Sequence, residues 1–379
     1  MVHFFKFISA SVLYGIHLGS ASIELGNDYE TIDMRSVGGL REMRSVRGPR
    51  GRPAVESGNA AAPKKTKWDR SNGIFLRSIF LKAVDTASEN VALSPVGIYF
   101  ISSMTMNLLK GDLKENWSSV GCKIDLKTFN NKLVGDPLVN SKSVIAGTYV
   151  NTVPPDFTME NFEMFDSVDV NAIGEFLETD VSEIQSAIGV AVHVLDFEGN
   201  WETKFSQKQV VTFSDDLNYM FMQARIPNVP YYSNKKVEMI TLPFSGSETS
   251  GDSVVIDFIK SKLVSDKVNL EHHPTWVTNS KVVTDNTDVA IPKIDIEYGQ
   301  ELDLSYETNV KYLQKVAVKW DEDGVTAQAV TMRMSRSFDW TPSFVADRPF
   351  YFIIRKGDLW LFTGYVNSID ENLNPISPL

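Results

Sequence analysis

Cysteine is almost missing from this chain of 379 residues, with Cys122 the only one. A lone thiol closes no intrachain disulfide, so the fold must rest on its core. Cys122 itself reads as a small buried hydrophobe rather than a reactive thiol. Histidine is nearly as scarce, at five residues. His3 and His17 fall near the N-terminus, and His272-His273 precede Pro274 in a polar stretch. Adjacent histidines rarely point at one metal, so that pair reads as a solvated loop. His193 sits inside the apolar run Val190–Leu195 and reads as a satisfied core residue. The motifs GxSxG, HExxH and CxxC do not occur. Residues 246–253 imitate a phosphate loop, but Asp252 stands where a lysine would meet phosphate. No enzyme, cofactor or metal site is therefore expected. Positive charge is also short, with 37 Lys and Arg against 48 Asp and Glu, a net −11. That balance argues against nucleic-acid binding, which needs a basic footprint. No apolar run reaches membrane-spanning length, so no membrane partner is expected.

What is present is ample core material: 43% hydrophobic and 11% aromatic residues. Residues 1–21 read as a secretory signal, with His3 and Lys6 ahead of an apolar stretch and Gly19-Ser20-Ala21 offering small residues for cleavage. Secretion to the extracellular space is the expected localisation. Residues 22–66 are poor in large apolar side chains and rich in Arg, Gly, Pro and Ala, the composition of a disordered segment. Residues 35–70 hold ten Lys and Arg against three Asp and Glu. They offer a solvated linker, a removable pro-segment or a patch for acidic polysaccharide. Residues 67–370 read as a single domain and 371–379 as a C-terminal tail. Asn116-Trp117-Ser118 is the only glycosylation sequon, usable at Asn116 if the chain is secreted. Nothing calls for an obligate oligomer, and a monomer is expected.

Local patterns supply the elements. Helical spacing runs from Asp69 to Glu89. Ser94 is placed to cap a helix with Pro95 in its first turn, Ile98 and Ile101 on its buried stripe and Gly111 as its stop. Residues 144–165 read as strand, turn and short helix, capped by Asp156 or Thr158, and 167–176 as a strand by alternation. Further strands are expected in 190–195, 253–259, 288–296, 315–320, 350–355 and 359–366. Lys356-Gly357-Asp358 forms the last hairpin turn.

The stretch around which these pieces are organised is Lys319–Phe350. A charged turn, Asp321-Glu322-Asp323-Gly324, leads into small and β-compatible residues. In an extended chain Val325, Ala327, Ala329 and Thr331 share one face, while Thr326, Gln328, Val330 and Met332 share the other. The segment thus reads as a loop able to become a strand. A loop this long is more often functional than a mere connector.

DEDGVTAQAVT resembles the hinge of the serpin family, FVADRPFYFIIR its return segment and LFTGYV its closing strand. NVALSPVG is similar to the family's Ser-Pro-x-Ser entry to its core helix, with Gly97 for the second Ser. LDFEGNW and MITLPFSG match the middle of the family pattern. The resemblance covers roughly 69–369. It implies an α+β fold with large mixed β-sheets, a helical N-terminal half and a long exposed reactive loop at about 322–345.

The resemblance further implies a suicide-type inhibitor of a serine protease. Its hinge would be Glu322, Gly324, Val325, Ala327 and Ala329, and its reactive bond Phe338–Asp339, with Arg336 the alternative. Phe338 points to a chymotrypsin-like target and Arg336 to a trypsin-like one. The sheet-opening region would include Ser94, His193, Trp201, Lys293 and Gln314. Of these, His193 and Gln314 are expected to hydrogen-bond beneath the sheet, and Lys293 to pair with Glu322. Two regions, 176–190 and 291–319, are shorter than the family pattern. Arg333 would enter the sheet interior if the loop inserted, where an unpaired charge is costly. These features keep a second reading open, a non-inhibitory serpin acting as a cleavable substrate, carrier or signalling protein.

Overall fold

The strand Ala187–Trp201 (β6) shows how this sequence builds its sheet. Val190, Val192 and Val194 bury themselves on one face, and Ala191, Leu195 and Phe197 on the other. Side chains alternate along a strand, so a run apolar at every position is a strand covered on both faces. The computed structural model describes residues 5–16, 30–33, 80, 84, 89–105, 133, 136–147, 161–185, 187–246, 253–263, 267–303, 310–322 and 343–376.

On one side of β6 lies Val139–Gly147 (β4), antiparallel to it, and Phe162–Phe165 (β5) adds parallel to β4. On its other side lies Phe5–Ile16 (β1), antiparallel to β6 and to Val310–Trp320 (β15). The residues expected to act as a leader are therefore a central strand here. Ile294–Asp303 (β14) pairs antiparallel with the far edge of β15, and Glu30–Asp33 (β2) runs parallel along β14.

At its end, β6 meets Val237–Ser245 (β10) through Trp201 and Phe244. From β10 an antiparallel ribbon continues through Val254–Ser261 (β11), Phe350–Lys356 (β17), Leu359–Val366 (β18) and Val91–Leu93 (β3). Val229–Ser233 (β9) and Lys281–Val283 (β12) extend it past β10. A separate sheet orders Ser343–Val345 (β16), Thr287–Ile291 (β13), Asn218–Ile226 (β8) and Gln207–Thr212 (β7). The hairpin β17–β18 turns at Gly357, whose φ of 58° is left-handed. Gly364, in β18, lies against the ring of Phe352, and a Cβ there would stand 2.3 Å from two ring carbons.

Pro95–Thr105 (α1) starts where its cap predicts: Ser94 Oγ accepts from Gly97 N–H at 3.2 Å. This helix touches β1, β6 and β18. Two expectations are corrected here. Residues 167–176, read as a strand, contain the helix Val170–Leu177 (α2). Asp169 caps it by accepting from the N–H groups of Asn171 and Ala172, and Ile173 and Leu177, four apart, bury one stripe. Phe162–Phe165, assigned to the end of a short helix, is strand β5 instead. The rest of that helix, most of the one at 69–89 and the stop at Gly111 lie outside the described residues.

The shortened region after α2 still covers the sheet. Ile173, Leu177, Val181 and Ile184, the last in the 3₁₀ turn Ser182–Ile184, pack on Val144, Ala146, Val190, Val192 and Val194. From that turn Glu183 reaches across to pair with Lys315 on β15. At the other end of the chain, residues 371–376, set apart as a tail, dock on the domain through Asn374. Its side chain accepts from Lys293 N–H at 2.9 Å and donates to Lys293 C=O at 3.0 Å.

Candidate functional site

The chain leaves β15 at Trp320 and re-enters the described structure at Ser343, and both ends of that interval are pinned. On the outgoing side Trp320 is buried and its indole donates to Pro292 C=O at 2.8 Å. Trp201 Nε1 donates to Asp321 C=O at 3.0 Å. Lys293 Nζ stands 2.7 Å from Glu322, the pair that the family resemblance implied, and Lys208 approaches the same carboxylate at 3.8 Å. Burial pushes the Glu322 carboxyl up, but the Lys293 contact outweighs it and holds the group below its ordinary range. Beneath these contacts lies a rigid aromatic floor. Trp201 stacks on Phe244 at 5.2 Å, and Trp320 meets Phe258 and Phe352 edge-on at 5.4 and 5.1 Å.

On the returning side, Ser343–Val345 joins β13 in parallel. Lys260, on β11, holds the next turn: its ammonium donates to Val345 C=O at 2.5 Å and lies 3.2 Å from Asp347 and 3.4 Å from Glu238. It also stands 5.2 Å from the Phe344 ring centroid. Arg348 clasps Asp347 through Nε and Nη2, both at 2.9 Å. Nothing in the local pattern around Lys260 marks it as the anchor of a segment some eighty positions on. Gly324, Val325, Ala327, Ala329, Arg333, Arg336, Phe338 and Asp339 lie outside the described residues, as do Asn116, Cys122 and the basic segment 35–70.

Under the sheet, Ser94 ties three elements together. Its N–H donates to Gln314 Oε1 at 3.1 Å, its C=O accepts from Gln314 Nε2 at 3.0 Å, and its Oγ donates to Leu361 C=O at 2.8 Å. The expected hydrogen bond between His193 and Gln314 is corrected. In register, Ser11 of β1 stands between them, opposite His193 on one side and Gln314 on the other. Two strand spacings, about 9–10 Å, therefore separate their backbones. His193 Nδ1 lies 3.0 Å from Ser143 Oγ, and its Nε2 has no hydrogen-bond partner among the described residues. Its ring stacks on Phe100 at 4.3 Å. Burial pushes its pKa down to about 3, against a small upward pull from the Lys142 backbone, so it is neutral.

A second polar cluster was misread in the sequence. His273 is not in a solvated loop; it is buried, where His273–Asn279 (α3) meets the sheet. Its Nε2 lies 2.6 Å from Asp257 Oδ2, which also accepts from Arg355 Nε at 2.6 Å, while Thr241 Oγ1 donates to Oδ1 at 2.5 Å. Burial alone would raise the Asp257 pKa, but Arg355 and His273 outweigh it and hold the carboxyl far below its usual range. The cluster fastens α3 to β10, β11 and β17. Among the described residues no group of three or more His, Cys, Asp or Glu is arranged to hold a metal ion. No described helix is long and apolar enough to cross a membrane.

A mixed β-sheet with a strand pinned at its top, a small second sheet receiving the return, and few helices among the described residues define an α+β fold. Solved structures share it: a cleaved serpin of 42 Da designation aligns at a TM-score of 0.60 with 13% identity, over 80% of this chain and 99% of that one. The native state of tengpin, a thermophilic serpin, aligns at 0.56 with 16% identity, over 80% and 93%. Residues 304–369 match the family model described as serpin (serine protease inhibitor). Human plasminogen activator inhibitor 2 is 24% identical over 208 residues, 44% of this chain and 49% of that protein. Human serpin B8 is 26% identical over 215 residues, 47% and 57%. Serpin B5 of Xenopus laevis is 23% identical over 296 residues, 67% and 73%. The chain thus spans about half the length of the first of these relatives. In fold it is serpin-like, and in sequence it is similar to the serpin family, to the family model over residues 304–369.

Proposed function

We propose that this protein is a secreted inhibitor of a serine endopeptidase of chymotrypsin-like preference, using residues 323–342 as bait. The observation that carries the reading is the double anchoring of that interval. Trp201, Lys293 and Glu322 hold its start at the top of one sheet, and Lys260 and Arg348 hold its end beside another. Ends held in place in this way set where the bait starts and finishes, which lowers the ordering cost of binding.

In the proposed reaction the protease serine oxygen attacks the Phe338 carbonyl, its proton passing to the protease base. The Phe338–Asp339 bond breaks, and the new amine of Asp339 leaves with that proton. The Phe338 acyl group stays as an ester on the protease. The freed hinge, from Gly324 through Val325, Ala327 and Ala329, then adds to the large sheet and carries the protease with it. Cleavage after Arg336 is the trypsin-like variant of the same route. Secretion would remove residues 1–21 and permit glycosylation at Asn116. The basic run 35–70 suits an acidic polysaccharide, and the protein acts as a monomer.

The non-inhibitory reading, a cleavable substrate or carrier, is favoured by one observation. Both edges of β15 are already paired, by β14 and by β1. Titration of residual protease activity separates the readings. An inhibitor abolishes chymotrypsin activity irreversibly near equimolar amounts, whereas a substrate is consumed while activity persists.

A further inference from the structure

The strand β1 occupies a position with a particular geometry. It is antiparallel both to β6 and to β15, so β6 and β15 run parallel to each other and β1 holds them two strand spacings apart. Strands held that far apart turn a row of N–H and C=O groups each towards the strand between them. Phe5–Ile16 fills those rows along nearly their whole length, from Phe5 opposite Gly199 to Gly15 opposite Val310. It enters at the end where Trp320, Trp201 and Glu322 gather, and runs away from it.

A chain that turns back after Glu322 would run antiparallel to β15, in the same direction as β1. It has two edges of β15 to choose from. One is taken by β14, with Ile294 opposite Trp320, and the other by β1. The two arrivals therefore compete for one place. Around it, β2 pairs with the outer edge of β14, and Glu183 reaches over to Lys315, the residue opposite Ala10.

We propose that Phe5–Ile16 is a self-inserted strand that closes the acceptor slot between β6 and β15. The chain's own segment after Glu322 enters the slot only when this strand is out. Removal of residues 1–21 then has two consequences, release of a leader and opening of the sheet. The identity of the incoming strand rests on the function proposed above; the occupation of the slot does not.

Hydrogen exchange on the full chain reads the slot directly. Amides of 5–16 are expected to exchange roughly a hundredfold slower than unstructured ones. Ala10→Pro removes a ladder hydrogen bond in mid-strand, opposite Val194 and Lys315. It should lose that protection and expose the facing amides of β6 and β15. The probe for entry is a labelled synthetic peptide with the sequence of residues 324–335. The variant should take it up at least about tenfold faster than the parent chain.

Unprotected amides at 5–16 in the full chain overturn the proposal. So does equal uptake by both proteins, including none by either. Should Ala10→Pro fail to fold, the unmodified chain still decides: peptide uptake while 5–16 stays protected is contrary to a closed slot. Because no protease enters these measurements, a chain that fails to trap proteases leaves their outcome intact.

Discussion

Replacing Gln314 with alanine removes the two hydrogen bonds by which β15 grips the backbone of Ser94. Gln314 is buried, at 3.1 Å from Ser94 N and 3.0 Å from Ser94 O. Ser94 C=O keeps Ile98 N–H as a donor at 3.3 Å. Ser94 N–H is the group at risk, because its acceptor disappears inside a closed region. A buried donor left without a partner costs about 1–3 kcal/mol, and loss of the second bond adds about 1. A total of about 2–4 kcal/mol is expected before any relaxation of the cavity. Urea unfolding followed by tryptophan fluorescence measures it, since Trp320 lies on the same strand, and the slope should stay constant while the midpoint falls. Ser94→Ala should cost less, about 1–2 kcal/mol, because it removes only the cap and the Leu361 contact. A loss below about 0.5 kcal/mol for Gln314→Ala, or a larger loss for Ser94→Ala, would refute the bridge between sheet and helix.

His193 has a folded pKa of about 3 against an unfolded value of 6.5, so the unfolded chain binds the extra proton between those limits. Its contribution to stability is intact above pH 6.5 and falls by about 1.4 kcal/mol per unit as pH drops towards 3; His193→Gln should flatten that slope in acid titrations of unfolding. Gly364→Ala places a Cβ 2.3 Å from Phe352 and 2.6 Å from Val91 O, and should lower stability by about 1–3 kcal/mol or block folding, read as a drop in Tm. Arg355→Met leaves the buried Asp257 carboxylate only His273 and Thr241 and, by breaking a buried ion pair, should cost about 3–5 kcal/mol in urea, a loss that Asp257→Asn in the same chain partly recovers.

Local signals were legible where the partner lay close in sequence. Ser94 with Pro95 announced the start of α1, and Lys356-Gly357-Asp358 the last turn, because caps and turns are decided within a few residues. The Lys293–Glu322 pair was reached only through resemblance to a family. Residues 167–176 misled because Val168 and Val170 alternate like a strand, whereas Asp169 as a cap and Ile173 with Leu177 carry the helical signal. His273 was misplaced because its environment comes from Asp257 and Arg355, on two separate strands, and no local pattern reports them. The pairing of 5–16 with β6 and β15 was beyond local reading for the same reason, since an apolar run suits a leader peptide and a central strand equally. His193 and Gln314 were expected to touch because the strand between them was not foreseen.

Under the function proposed above, cleavage of the bait between Phe338 and Asp339 leaves a protease captured on this chain. Mass spectrometry of a chymotrypsin reaction, after denaturation, tests it most directly. Capture yields a denaturant-stable adduct joined through Phe338, together with a released C-terminal fragment that begins at Asp339. Cleavage at that bond with the protease free and active would contradict it, leaving a serpin fold that is cut without trapping.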